Sequence, residues 1–115
     1  MPEQYTDLSY LDKTGDGSNV YMKEMIHAFI SDTPPILENM NNALSQKKWN
    51  NLKSISHTLK SVICFMGIHS IKEVMKDVER YSEEQTHLDL LPALIVKIQD
   101  TCIKAMDELK MKYKL

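Results

Sequence analysis

Glycine occupies only three of 115 positions, Gly15, Gly17 and Gly67. A sheet protein needs turn residues at short intervals, and this chain does not supply them. It supplies apolar residues at helical spacing instead. From Val20 they recur at Met22, Met25, Ile26, Phe29 and Ile30, then at Ile36, Leu37, Met40, Ala43 and Leu44. A second run holds Trp49, Leu52, Ile55, Leu59, Val62, Ile63 and Met66, and a third holds Ile71, Val74, Met75, Val78 and Tyr81. The last begins at Leu88 and continues through Leu91, Leu94, Ile95, Ile98, Cys102, Met106, Leu109 and Tyr113. Gln46-Lys47-Lys48, Gly67 and the polar stretch from Ser82 to His87 separate the runs. Connections this short force neighbouring helices to run antiparallel. The expected fold is all-α: an up-down-up-down four-helix bundle, with its core over about 18–112 of a single domain spanning 1–115.

Two features modify that outline. Pro34 and Pro35 remove two backbone donors and bias Thr33 away from the helical region. The first long helix, about 18–46, is therefore expected to be kinked or split there, with Thr33 capping the second piece. Ahead of it, Tyr5, Leu8 and Leu11 suggest a short helical lead-in, Gly15-Asp16-Gly17 a loop, and Ser18 or Asn19 a helix cap. Gly67 suits the C-terminal end of the second helix.

Composition excludes several classes of function. Fourteen basic and 16 acidic residues give a net charge of −2, which argues against broad binding to a nucleic-acid backbone. No apolar run approaches the roughly 18 residues of a membrane span, and the N-terminus lacks the order of a signal peptide. Two cysteines, Cys64 and Cys102, are too few for a disulfide framework. A cytoplasmic, soluble, reduced domain is expected. No extended apolar seam is left over once the bundle forms, so a monomer is expected as well.

The second helix carries the one conspicuous polar constellation. On a helical wheel of about 100° per residue, its core stripe runs through Leu52, Ile55, Leu59, Val62, Ile63 and Met66. His57 falls almost opposite, with Lys53, Lys60, Ser61 and Cys64 on the same outward face. An exposed imidazole offers a nucleophilic nitrogen at neutral pH. One that accepts a phosphoryl group needs access, a nearby cation and little bulk around it. Lys60, one turn on, supplies the cation, and small Ser61 leaves room for a partner to close over the ring. His27, His69 and His87 lack such surroundings and read as ordinary surface residues.

The stretch His57-Thr58-Leu59-Lys60-Ser61-Val62-Ile63-Cys64-Phe65-Met66-Gly67-Ile68 resembles the signature of histidine-containing phosphotransfer domains, His-x-Leu-Lys-Gly-Ser/Ala followed by an apolar-Gly-apolar ending. Phe29, Asp32 and Pro34 resemble a Phe-x-x-Asp-x-Pro stretch in the family's first bundle helix, and Trp49 sits where the family often has an aromatic or apolar residue. The resemblance covers roughly residues 18–110. It implies that His57 accepts a phosphoryl group from a phospho-aspartate in one receiver domain and passes it to an aspartate in another. The receivers would be those of response regulators and of a hybrid sensor histidine kinase. Lys60 would neutralise phosphoryl charge, and Lys53, Ser54, Ser61 and Cys64, with neighbours from the first helix, would meet the partner. The chain would be a phosphocarrier rather than an enzyme, holding no cofactor or metal of its own, because Mg²⁺ belongs to the receiver. Ser61 replaces the family's glycine, and Val62, Ile63 and Cys64 replace small residues. The outward bulk of Ser61 and Cys64 is expected to narrow the set of receivers that dock.

Other readings fare worse. Gly15-Asp16-Gly17 is too short for a nucleotide loop and lacks a basic residue after it, so an autonomous kinase is not expected. His57 and Cys64 lie about 10 Å apart along the helix, too far to share one ion. Lys110, Lys112 and Lys114 suit the negative end of a helix dipole rather than a nucleic-acid patch. The remaining alternative is a helical adaptor that binds receivers without carrying phosphate; retention of both His57 and Lys60 argues against it.

Overall fold

The computed structural model describes residues 5–8 and 19–113. The described residues contain four α-helices: α1, Asn19–Ser45; α2, Trp49–Phe65; α3, Lys72–Glu84; and α4, Leu91–Tyr113. Single 3₁₀ turns, His69–Ile71 and Leu88–Leu90, lead into α3 and α4, and no strand occurs among the described residues. The main packing pairs close a ring, α1 on α2, α2 on α3, α3 on α4 and α4 back on α1. The molecule measures 43 × 28 × 22 Å. At 1.5 Å per residue α1 alone is about 40 Å long, so its length accounts for the long axis.

The core is the apolar stripe of each helix. Ile26, Phe29, Leu37 and Met40 of α1 pack with Leu52, Leu59 and Ile63 of α2, Met75 and Val78 of α3, and Leu91, Ile95, Ile98, Cys102 and Leu109 of α4. Fully burying a side chain of this kind contributes about 1.5–3 kcal/mol. The stripe on α2 sits further round than the wheel suggests. Ser56 is fully buried, whereas Ile55 and Val62, both assigned to the core, are half-buried. The reason is α3, which packs against the Ser56 side.

Helix α1 runs as one element through Pro34 and Pro35 rather than as two pieces. The prolines leave the Ile30 and Ser31 carbonyls without their usual intrahelical donors. Thr33 is not a cap: it lies inside the helix, fully buried, and its hydroxyl has no hydrogen-bond partner. Just beyond, the Gln99 side-chain amide of α4 donates to the Leu37 carbonyl at 3.0 Å and ties the two helices together.

The connection between α2 and α3 positions the site. Gly67 has φ +65°, the Ile68 N–H donates to the Ile63 carbonyl at 3.0 Å, and the Gly67 N–H donates to the Cys64 carbonyl at 3.2 Å. This is a Schellman ending, with Ile68 and Ile63 both buried as its apolar contact. The N-terminal segment crosses here: the Asp7 N–H donates to the Met66 carbonyl at 3.2 Å. The Glu108 carboxylate of α4 accepts from the Tyr5 and Thr6 N–H groups, both at 3.1 Å. Tyr5 and Leu8 pack against the core as expected, but Tyr5–Asp7 are not helical and Leu8 lies in a turn. Leu11, the Gly15-Asp16-Gly17 loop and Ser18 lie outside the described residues.

Candidate functional site

His57 stands in the middle of α2 with 66% of its side chain exposed, on the outward face that the apolar period assigns to it. Its Nδ1 lies 2.8 Å from Oε1 of Glu79, in the middle of α3. The second oxygen of that carboxylate, Oε2, accepts from the Lys60 ammonium at 2.6 Å. One carboxylate therefore bridges the imidazole and the lysine. The hydrogen bond from Lys60, joined by the weaker one from His57, holds the Glu79 carboxyl below its ordinary value of 4.5, against the opposing effect of burial. Glu79 is thus ionised at neutral pH, and a carboxylate only accepts hydrogen bonds. In neutral His57 the proton must therefore sit on Nδ1. Nε2 keeps its lone pair, and no partner among the described residues engages it.

The arrangement follows from the α2–α3 pairing. Lys53 of α2 pairs with Glu83 of α3 at 3.0 Å, while His57 and Lys60, further along α2, meet Glu79, earlier in α3. Lys53 and Lys60 are half-buried because their stems lean on α3. Ser61 and Cys64 are exposed on the same side, one and two turns beyond His57. Ser54 is not gathered with them: it lines a cleft between α1 and α2 with Ile36, Asn39, Ile55 and Thr58. His27, His69 and His87 are exposed and have no hydrogen bond or ion pair to this cluster; His69 approaches Asp7 at 3.5 Å, and His87 stacks on Tyr81 at 4.8 Å between ring centroids.

Residues 24–110 match the model of the Hpt domain family. The chain belongs to the Hpt domain family. Hpt domains perform histidine phosphotransfer in two-component signalling, acting as phosphocarriers that interact with receiver domains. No curated protein and no solved structure matches the chain. No helix among the described residues is long and apolar enough to cross a membrane.

Glu79 is the member of this Hpt site that sequence reasoning missed. It is one of several acidic residues on α3, with Glu73, Asp77, Glu83 and Glu84, and nothing in its local sequence singles it out. The available signal was pairing: His57 and Glu79 stand at comparable sequence distances on either side of Gly67, so a helical hairpin turning there brings them level.

Proposed function

We propose that this Hpt domain carries its phosphoryl group on Nε2 of His57, receiving it from an aspartyl phosphate of one receiver domain and returning it to an aspartate of another. The observation that supports this reading most is the Glu79 bridge, which keeps the proton on Nδ1 and leaves Nε2 as an exposed nucleophile. In the forward step the Nε2 lone pair attacks phosphorus. An N–P bond forms while the P–O bond to the receiver carboxylate breaks, and the bonding pair leaves with that carboxylate. The proton on Nδ1 stays in place, so the ring becomes cationic as the phosphoryl group arrives. Glu79 stabilises that positive charge from 2.8 Å. The Lys60 ammonium, held one turn along the helix from His57, can turn from Glu79 to a phosphoryl oxygen. Phosphoryl transfer depends chiefly on such positioning and charge neutralisation. Mg²⁺ would be held by the receiver.

The remaining features fit the same reading. The whole of 1–115 would form one domain, and the opposed order of the Lys53–Glu83 and Lys60–Glu79 pairs supports the antiparallel bundle. Action in the cytoplasm, as a monomer without an ATP site, completes the proposal; Lys53, Ser61 and Cys64 would contribute to receiver contact, and Ser54 would do so from the α1 side. The test is a transfer time course with phosphorylated receiver domains and Mg²⁺. Acid-labile, base-stable label should appear on the wild-type chain and be absent from His57→Gln. Binding of receivers without any label would favour the adaptor alternative instead.

A further inference from the structure

Beyond the imidazole, the outward face of α2 drops into an open groove against α3. The groove has a volume of about 440 Å³ and is lined by Lys60, Ser61, Cys64 and Phe65 of α2 and by Lys72 and Lys76 of α3. It begins one helical turn from His57 and, from Lys60 to Phe65, extends about 7.5 Å along α2. Its wall is apolar at Phe65, a large side chain left 39% exposed, and at the exposed Cys64. Its charge is one-sided: three ammonium groups and no carboxylate line it, in a chain whose net charge is −2. Lys60 is held by Glu79, but Lys72 has no ion pair among the described residues. Lys76 has only an exposed contact with Glu73 at 3.5 Å, in the preceding turn of its own helix. Exposed pairs of that kind exchange readily for a better partner.

We propose that this groove is a docking slot for an acidic segment of the receiver domain, whose apolar side chain seats on Phe65 and Cys64 while flanking carboxylates meet Lys72 and Lys76. The inference rests on the receiver reading given above and adds a second point of contact, on α3, that selects among receivers. Two observations favour a protein segment over a small anion. The groove is open along its length rather than enclosed, and it shares Lys60 with the phosphoryl site, so a domain brought up to Nε2 of His57 lies over it. Its lysines act before contact as well as in it: like-signed charges around an entry face raise the rate of encounter with an oppositely charged partner, and salt weakens that effect.

The test uses the full chain, its Lys72→Glu/Lys76→Glu double variant and Phe65→Ser. Each is labelled in parallel by phosphoramidate, a small phosphodonor with no docking surface. Each is also labelled by whichever of a panel of receiver domains, charged with acetyl phosphate and Mg²⁺, transfers fastest to the wild type. The slot requires phosphoramidate labelling of His57 in both variants to match that of the wild type. Receiver transfer should fall about ten- to a hundredfold in the double variant and severalfold in Phe65→Ser, and the steep salt dependence of the wild-type rate should flatten in the double variant. Receiver transfer equal to wild type would overturn the slot while leaving His57 as phosphocarrier intact, as would a wild-type dimer that the double variant dissociates. A wild-type chain labelled by neither donor would overturn the phosphocarrier reading itself, and the slot with it.

Discussion

Replacing Glu79 by alanine removes both roles of the carboxylate at once, and the structure sets the size of the effect. In the wild type Oε1 lies 2.8 Å from Nδ1 of His57, and the ring becomes cationic when Nε2 is phosphorylated. Opposite unit charges about 4 Å apart attract by roughly 1 kcal/mol in water and about 4 kcal/mol at an effective dielectric of 20. With the His57 side chain 66% exposed, the lower end applies. A hydrogen bond to a charged group contributes about 1.5–3 kcal/mol when well shielded and less here. Together they give about 1–2 kcal/mol of transition-state stabilisation, which is a five- to thirtyfold slower labelling of Glu79→Ala. Glu79→Gln retains an amide oxygen to accept from Nδ1 and loses only the charge, so its rate should fall between the two. Initial rates with phosphoramidate give the order wild type, Gln, Ala. Nitrogen-15 NMR of the ring reports the position of the proton, which should move partly to Nε2 in the alanine variant. The fold should survive, because the Lys60–Glu79 pair is partly exposed and its loss costs no more than about 1 kcal/mol, or about 4 °C in Tm. Wild-type rates in Glu79→Ala, with the proton still on Nδ1, would refute the reasoning.

Three further outcomes follow from other parts of the molecule. Gly67→Ala places a Cβ against the Asp7 backbone at a φ of +65°, so it should cost about 2 kcal/mol and detach the N-terminal segment; thermal melts and amide exchange at Asp7 would show both. Cys102 is fully buried and its thiol is pushed up to about 12, whereas Cys64 is exposed; iodoacetamide should therefore modify Cys64 alone in the native chain, as peptide mass spectrometry would reveal. The Glu79 carboxyl is held low in the folded state mainly by Lys60, so its contribution to stability is complete above about pH 4.5 and is lost as pH falls through its lowered value. Melting temperature against pH should accordingly fall less steeply below pH 4.5 in Glu79→Ala than in the wild type.

The helices and the orientation of His57 were legible because both rest on local periodicity: a residue opposite Leu59 and Ile63 on α2 must face away from the core. The ends of α2 were legible for the same reason, since Lys48 precedes Trp49 directly and Gly67 supplies the left-handed ending. Thr33 misled because proline chemistry normally ends a helix, while here burial of Phe29, Leu37 and Met40 on one face carries α1 through Pro34 and Pro35. Ile55 and Val62 shifted outward because the position of the stripe depends on where α3 packs, which no single helix records. Glu79, Lys72 and Lys76 escaped for that reason too. Each is an unremarkable charge in its own sequence window and acquires a role only across the α2–α3 contact.

The central claim concerns one nitrogen atom, and locating the phosphoryl group tests it directly. The chain, labelled with nitrogen-15 at histidine and charged by a phosphorylated receiver domain, would be followed by phosphorus and nitrogen NMR with base-stable peptide mapping. The account predicts a single N–P linkage at Nε2 of His57, with the proton retained on Nδ1 beside Glu79. Phosphate on Nδ1, on His27, His69 or His87, or on no histidine at all would contradict it.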